Sequence, residues 1–244
     1  MSTRLDNEPR YLKVKNELEA LILSGKIDPN RPIPGEITLA RKFGVSRGTV
    51  RKALEQLKYE GLIVRAPGLG TFPMNSALRP KLASLRSFTE ELESLGYAAG
   101  AKLLKADVVP MPEETAAALE CDLGELALVI DRIRTANSVP VAFTRTYLLY
   151  RKCAALERTD LGSVSLYKLM KETLREEISQ GVQTIRAVAL PEAIARHLDA
   201  EAGSPSLFIE RVGAFADGTK VEHTVAWFRG DLYAYEVELK RYFG

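Results

Sequence analysis

The stretch FGVSRGTVRKALEQL, residues 43–57, constrains this chain more than any other. Val50, Ala53, Leu54 and Leu57 recur at i, i+3, i+4 and i+7, the spacing that lines one side of an α-helix with apolar groups, so that side must be buried. Ser46 stands where an N-cap accepts a backbone N–H, and Arg47 and Arg51 lie one turn apart, off the apolar stripe. From Ile37 to Leu54 there is no acid, whereas Arg41, Lys42, Arg47, Arg51 and Lys52 are basic. A solvated helix ordinarily mixes its charges, so a face of one sign reads as a surface for a polyanion.

The flanking residues narrow that reading. Residues 1–9 are polar and expected to fray. Tyr11, Val14, Leu18, Leu21 and Ile22 mark the apolar face of a first helix that Gly25 can end. Three prolines within residues 28–35 then force a loop. Residues 36–43 form a second helix with Leu39, Ala40 and Phe43 inward, and Gly44 turns the chain into the basic helix. Two helices joined by a short glycine-containing turn, the second one basic, have the form of a helix-turn-helix. After Gly61, Leu62-Ile63-Val64-Arg65 and Thr71-Phe72 flank the tip Ala66-Pro67-Gly68-Leu69-Gly70, a β-hairpin whose small residues can approach a groove or phosphate, with Arg65 at its base.

Charge follows the same division. Residues 1–75 hold 13 Lys and Arg against 8 Asp and Glu, net +5, and the remainder 21 against 24, net −3, within an overall +2 over 244 residues. The two cysteines, Cys121 and Cys153, form no CxxC and argue for a reducing compartment and against a disulfide scaffold or zinc finger. No charged-then-apolar leader opens the chain, and its apolar runs fall short of the ~20 residues needed to span a bilayer. The expected location is the cytoplasm, without a membrane partner.

A linker is expected at 74–81, followed by an α+β domain over 82–244 in which helices are brief and strands dominate. Pro112-Glu113, Leu119 and Arg132 recur 79 residues later as Pro191-Glu192, Leu198 and Arg211. Each set carries a helix, a strand, a polar turn (Asn137-Ser138 or Asp217-Gly218) and another strand, which predicts two related halves of one sheet with helices on one face. Within the first half, alternation places Arg132 and Arg134 on the same strand face, roughly 6.5–7 Å apart. No acid shares their alternation, so either an anionic ligand or a carboxylate from elsewhere in the fold must meet them. Ser87-Phe88-Thr89-Glu90 has the form of a capping box, and Ser165 can cap a helix opening at Leu166-Tyr167. Helix N-termini of this kind suit phosphate or carboxylate, although each serine alone is also an ordinary cap. His197, expected in a helix, and His223, in a strand, lack metal-ligand spacing and read as structural or surface residues; no metal or cofactor is expected. Tyr233, Tyr235, Val237 and Leu239 alternate with polar residues as if the chain ended in a strand.

On the motif IPGEITLARKFGVSRGTVRKALEQLKYEGLIVRAPGLGTF, residues 10–73 resemble the winged helix-turn-helix of GntR-type bacterial transcription regulators. The resemblance implies DNA contacts from Ser46, Arg47, Thr49 and Arg51, with Thr38, Lys52 and Arg65 beside them, and from Gly68 and Gly70 of the wing. Gly35 replaces the capping serine of the family, and Ile37 a basic residue that often touches DNA. On the segments SFTEEL, DRIRTAN, SLY and VEHTVAWFRGDLY, residues 82–242 are similar to the UTRA effector domain of the HutC subfamily, whose fold is like chorismate lyase. That similarity implies anion binding by Ser87, Phe88, Thr89, Arg132, Arg134, Ser165 and Tyr167, with further ligand contacts from Glu222 and Phe228. At Arg145, sugar-phosphate-sensing relatives tend to carry an acid, which keeps phosphonate, phosphate and carboxylate effectors open.

Together these imply a homodimeric, effector-responsive transcription regulator, most often a repressor in this family, that reads an inverted repeat in double-stranded DNA. Two alternatives stand beside it. One is a constitutive DNA binder whose C-terminal domain only dimerises; the other is a lyase-like enzyme, for which the sequence offers no nucleophile–base pair.

Overall fold

The computed structural model describes residues 9–24, 26–28, 31–60, 62–66, 70–73, 78, 85–162 and 165–237. The chain divides into two compact units, Met1–Leu78 and Arg79–Gly244. Of the expected linker 74–81, only Leu78 falls among the described residues, and Gly25, Gly61, Gly68 and Leu239 lie outside them.

In the first unit, α1 (Arg10–Leu23), α2 (Glu36–Phe43) and α3 (Arg47–Tyr59) precede a hairpin of β1 (Ile63–Ala66) and β2 (Gly70–Pro73). The apolar stripe read from the sequence is the core. Val50, Ala53 and Leu57 of α3 pack with Val14, Leu18 and Ile22 of α1 and Leu39 of α2. Ser46 caps α3 by accepting the N–H of Thr49 at 3.2 Å. The hairpin is tied to the loop before α2 by a bridge between Ile33 and Thr71. At Gly70, φ is +118° and a Cβ would lie 3.0 Å from Pro32, so this glycine is required by the fold itself.

The second unit is built on one antiparallel six-stranded sheet in the order β3-β4-β5-β8-β7-β6. Its strands are β3 (Ala99–Pro110), β4 (Leu126–Ala136), β5 (Val139–Leu149), β6 (Gln180–Ala189), β7 (Pro205–Ala214) and β8 (Lys220–Arg229). The internal repeat is visible in this order: β3-β4-β5 and β6-β7-β8 meet at the central β5–β8 pair. Pro112 and Pro191 stand at the N-caps of the equivalent helices α5 (Glu113–Leu119) and α8 (Glu192–Ala195).

Helices cover both faces rather than one. Leu128, Ile130 and Leu148 pack under α6 (Tyr150–Cys153), the 3-10 turn Ala154–Arg158 and α7 (Leu166–Leu174). Ala127 and Leu149 pack under α5, and Ile133 and Phe143 under α8, on the opposite side. Both faces of β4 are therefore buried, and its apolar residues run almost continuously. The expected terminal strand is not formed over the described residues. Tyr233 and Glu236 make only isolated bridges, and Tyr233 turns inward to pack against Phe228, ring centres 4.4 Å apart and the planes tilted. His197 lies in a turn beyond α8, stacked on Phe143 at 6.2 Å.

Leu57 is fully buried in α3, whereas Tyr59 is 88% exposed. Leu57→Ala is expected to destabilise the first unit by about 2–5 kcal/mol through cavity formation, read as a lower urea midpoint; Tyr59→Ala should leave that midpoint nearly unchanged.

Candidate functional site

Each unit carries one candidate site. In the first, Thr38 of α2, Arg47 and Arg51 of α3, and Arg65 and Gly70 of the hairpin line a single groove. This collects five of the sequence-derived DNA contacts onto one surface. Arg51 is exposed there but not unpaired: its Nε donates to Oε1 of Glu36 at 3.1 Å and an Nη donates to Oε2 at 2.9 Å. The acid-free run begins just after Glu36, and folding brings that acid back against the arginine. Lys52 does not line the groove; its Nζ stands 4.1 Å from the centre of the Tyr11 ring of α1. Ser46 and Thr49 share a hydroxyl–hydroxyl hydrogen bond of 2.8 Å at the start of α3, and Ile37 is exposed.

In the second unit, α4 (Phe88–Ser94) lies over the face of the sheet that carries Arg132 and Arg134. The pleat explains the juxtaposition. Arg132 pairs with Thr144 of β5, which neighbours Ala226 of β8, which in turn neighbours Ile209 of β7, so side chains from four strands point the same way. They enclose a cavity of about 70 Å³, lined also by Ser87, Phe88, Thr89, Tyr167, Glu222 and Phe228. Eight of the nine sequence-derived ligand contacts thus meet. Ser165 does not line the cavity, but its Oγ lies 3.4 Å from that of Ser87.

The electrostatics of the cavity are set by burial. Arg132 and Arg134 are 5% and 3% exposed. Burial draws the Arg132 guanidinium down to about 10, partly offset by Glu222, and that of Arg134 to about 9, with the charge of Arg132 adding to the pull. Both remain cationic at neutral pH. An Nη of Arg134 donates to Thr89 Oγ1 at 2.9 Å and its guanidinium faces the Phe88 ring at 4.8 Å, while its buried Nε has no hydrogen-bond partner among the described residues. The Ser87 Oγ and N–H are both spent on Glu90 of the capping box, at 2.9 and 2.7 Å. Tyr167 donates to Glu222 Oε2 at 2.8 Å and Thr224 to Oε1 at 2.9 Å. Gly213 makes room for that carboxylate, since a Cβ there would lie 2.6 Å from Glu222 Oε2.

Arg145 is on the other face, its guanidinium clamping Asp131 at 2.8 and 2.6 Å, and the residues of β5 presented to the cavity are its neighbours Thr144 and Thr146. His223, beside Glu222 in sequence, is likewise turned away, between Thr115 and Glu210 at 3.1 Å each. The sequence reading passed over Arg211, Glu91 and Tyr235, which also line the cavity. Arg211 had a signal: it is the repeat equivalent of Arg132. Its Nε and an Nη donate to Gln183 Oε1 at 2.8 and 2.6 Å, and its other Nη to the Arg86 carbonyl at 3.0 Å. Burial opposes its charge, but Tyr167, Glu222 and Glu91 outweigh that and hold its pKa above the ordinary value. Among the described residues, no group of three or more His, Cys, Asp or Glu is arranged to hold a metal, and no helix is long and apolar enough to cross a membrane.

Residues 10–72 match the family described as bacterial regulatory proteins, gntR family, and residues 94–234 match the UTRA domain. The chain is 33% identical to the HTH-type transcriptional repressor NagR of Bacillus subtilis, covering 93% of each. It is 26% identical to the HTH-type transcriptional regulator GgaR of Escherichia coli K12, over 96% of this chain and 92% of that one. The crystal structure of PhnF from Mycobacterium smegmatis is similar with a TM-score of 0.65 at 28% identity, covering 93% of this chain and 99% of PhnF. NagR and GgaR are named as regulators, not enzymes. The chain therefore belongs to the GntR family of bacterial regulatory proteins, as a transcription regulator in which a winged helix-turn-helix precedes a UTRA domain.

Proposed function

We propose that this regulator is a repressor whose hold on operator DNA is set by a small anion bound in the cavity of the UTRA domain. The observation that carries the proposal is the pair Arg132 and Arg134, two cations nearly withdrawn from water on one strand face, with the Arg134 Nε left without a hydrogen-bond partner among the described residues. Such an arrangement is costly unless an anion completes it. A phosphate, phosphonate or carboxylate group meets that requirement, with Thr89 and Phe88 beside it, and Glu222, Tyr167 and Thr224 facing the rest of the molecule. Repression agrees with the name of the relative NagR. The protein acts in the cytoplasm as a homodimer, because a two-fold pair of short recognition helices reads an inverted repeat that one helix is too short to specify. The anion regulates by binding the DNA-competent and DNA-incompetent arrangements with different affinity.

A thermal-shift screen of phosphorylated sugars, phosphonates and small carboxylates tests the cavity. The true effector at a hundredfold excess over its Kd stabilises by about 2.7 kcal/mol. Arg132→Ala should abolish that shift and the response of DNA binding to the ligand, while leaving DNA binding itself intact. A screen in which no anion raises the melting temperature would count against regulation and favour a constitutive DNA binder.

The pH dependence has a fixed sign. An anion stabilises the protonated guanidinium, and burial sets the Arg134 pKa of the free protein at about 9, so affinity measured by calorimetry should be nearly level between pH 7 and 8 and fall as pH rises through about 9.

For the groove, Arg47→Ala should weaken operator binding in a fluorescence-anisotropy titration by about five- to a hundredfold if Arg47 reads a base. Unchanged affinity would remove Arg47 from the interface.

A further inference from the structure

We infer that Glu36 is a specificity-determining positioning residue, which fixes the Arg51 guanidinium so that its outer edge reads one base pair of each operator half-site. This rests on the proposal that the groove binds DNA. The pair joins α2 to α3 across fifteen residues of sequence, with both carboxylate oxygens engaged by Nε and one Nη. A guanidinium has five N–H donors. The side edge spends two of them on Glu36, leaving one hydrogen on that Nη and both on the other. That outer edge is the two-toothed donor that matches O6 and N7 of guanine in the major groove.

The pair is poorly explained as glue. Arg51 is 57% exposed at its side chain, and ion pairs so placed contribute little to stability. The helices it joins are already held by the buried core around Leu39 and Val50. A carboxylate in a groove meant for phosphates also opposes simple electrostatic binding, and Arg47 and Arg65 are near enough to feel its charge. An acid in that place gains its value from orientation: an arginine held in one rotamer discriminates between bases, whereas a free one finds the nearest phosphate.

The test is selection from a random duplex pool with the full-length protein and its variants, followed by sequencing. The wild type should enrich an inverted-repeat motif. Glu36→Gln should lose about tenfold of preference at one base pair per half-site, keep the others, and bind a random-sequence duplex at least as tightly as the wild type. Arg51→Lys, which keeps the charge but not the two-toothed geometry, should lose preference at the same position, with thermal melting confirming that both variants fold. In an Arg51→Ala background, Glu36→Gln should change nothing further. A Glu36→Gln motif as sharp as that of the wild type overturns the inference, and so does a preference change that persists without Arg51, which would make Glu36 a direct reader. Failure of the wild type to enrich any sequence would withdraw the DNA-binding proposal itself, and this inference with it.

Discussion

Two guanidinium groups kept out of water two positions apart on β4 dominate the C-terminal unit. A buried charge is tolerated only where neighbours replace the lost hydration, and the surroundings of Arg132 and Arg134 do so in part. Glu222 supplies opposite charge, Thr89 an acceptor and Phe88 a ring face. Glu222 comes from β8 and the other two from α4, so both elements meet the arginines at one point of the sheet. The glycine at 213 fits the same demand, since a larger residue would strike the Glu222 carboxylate. Among the described residues the compensation stops short at the Arg134 Nε, which has no hydrogen-bond partner there.

The N-terminal unit uses arginine in the opposite regime. Arg47 and Arg51 stand in solvent, where charge is inexpensive and attraction to phosphate is long-ranged but unselective. The fold orders the start of α3 in two ways: Ser46 caps its first turn, and Glu36 pairs with Arg51 one turn further on. Lys52, directed at the Tyr11 ring, belongs instead to the packing of α3 against α1, although in sequence it looked equivalent to its neighbours.

Features with a local cause were legible in the sequence. The ends of α2 and α3 were readable because caps and apolar spacing act within one or two turns, and the faces of β4 because the pleat has a period of two. Contacts between residues distant in sequence were not. Nothing local announces that Glu36 meets Arg51, or that Glu91 and Tyr235 reach the cavity. The face on which Arg145 lies was not legible either: a one-residue step along β5 exchanges the two faces of the sheet, and Arg145 pairs with Asp131 on the face away from the cavity. The helices on the second face were hidden because β4, buried on both sides, carries apolar residues on both.

The internal repeat accounts for the make-up of the cavity. Arg132 and Arg211 occupy equivalent strands, and the central β5–β8 pair brings both to the same hollow. Their surroundings have diverged. Arg211 is engaged by Gln183, the Arg86 carbonyl and the Glu91–Tyr167 side, so it anchors the segment entering α4 to β6 and β7. Arg132 has beside it Arg134, whose repeat counterpart is Gly213, a residue with no side chain to donate. One half of the repeat thus accumulates positive charge while the other removes a side chain to admit a carboxylate. From two copies of one supersecondary unit, the sheet acquires a cavity lined on one strand by Arg132 and Arg134 and on its repeat counterpart by Arg211, whose charge is met by its neighbours.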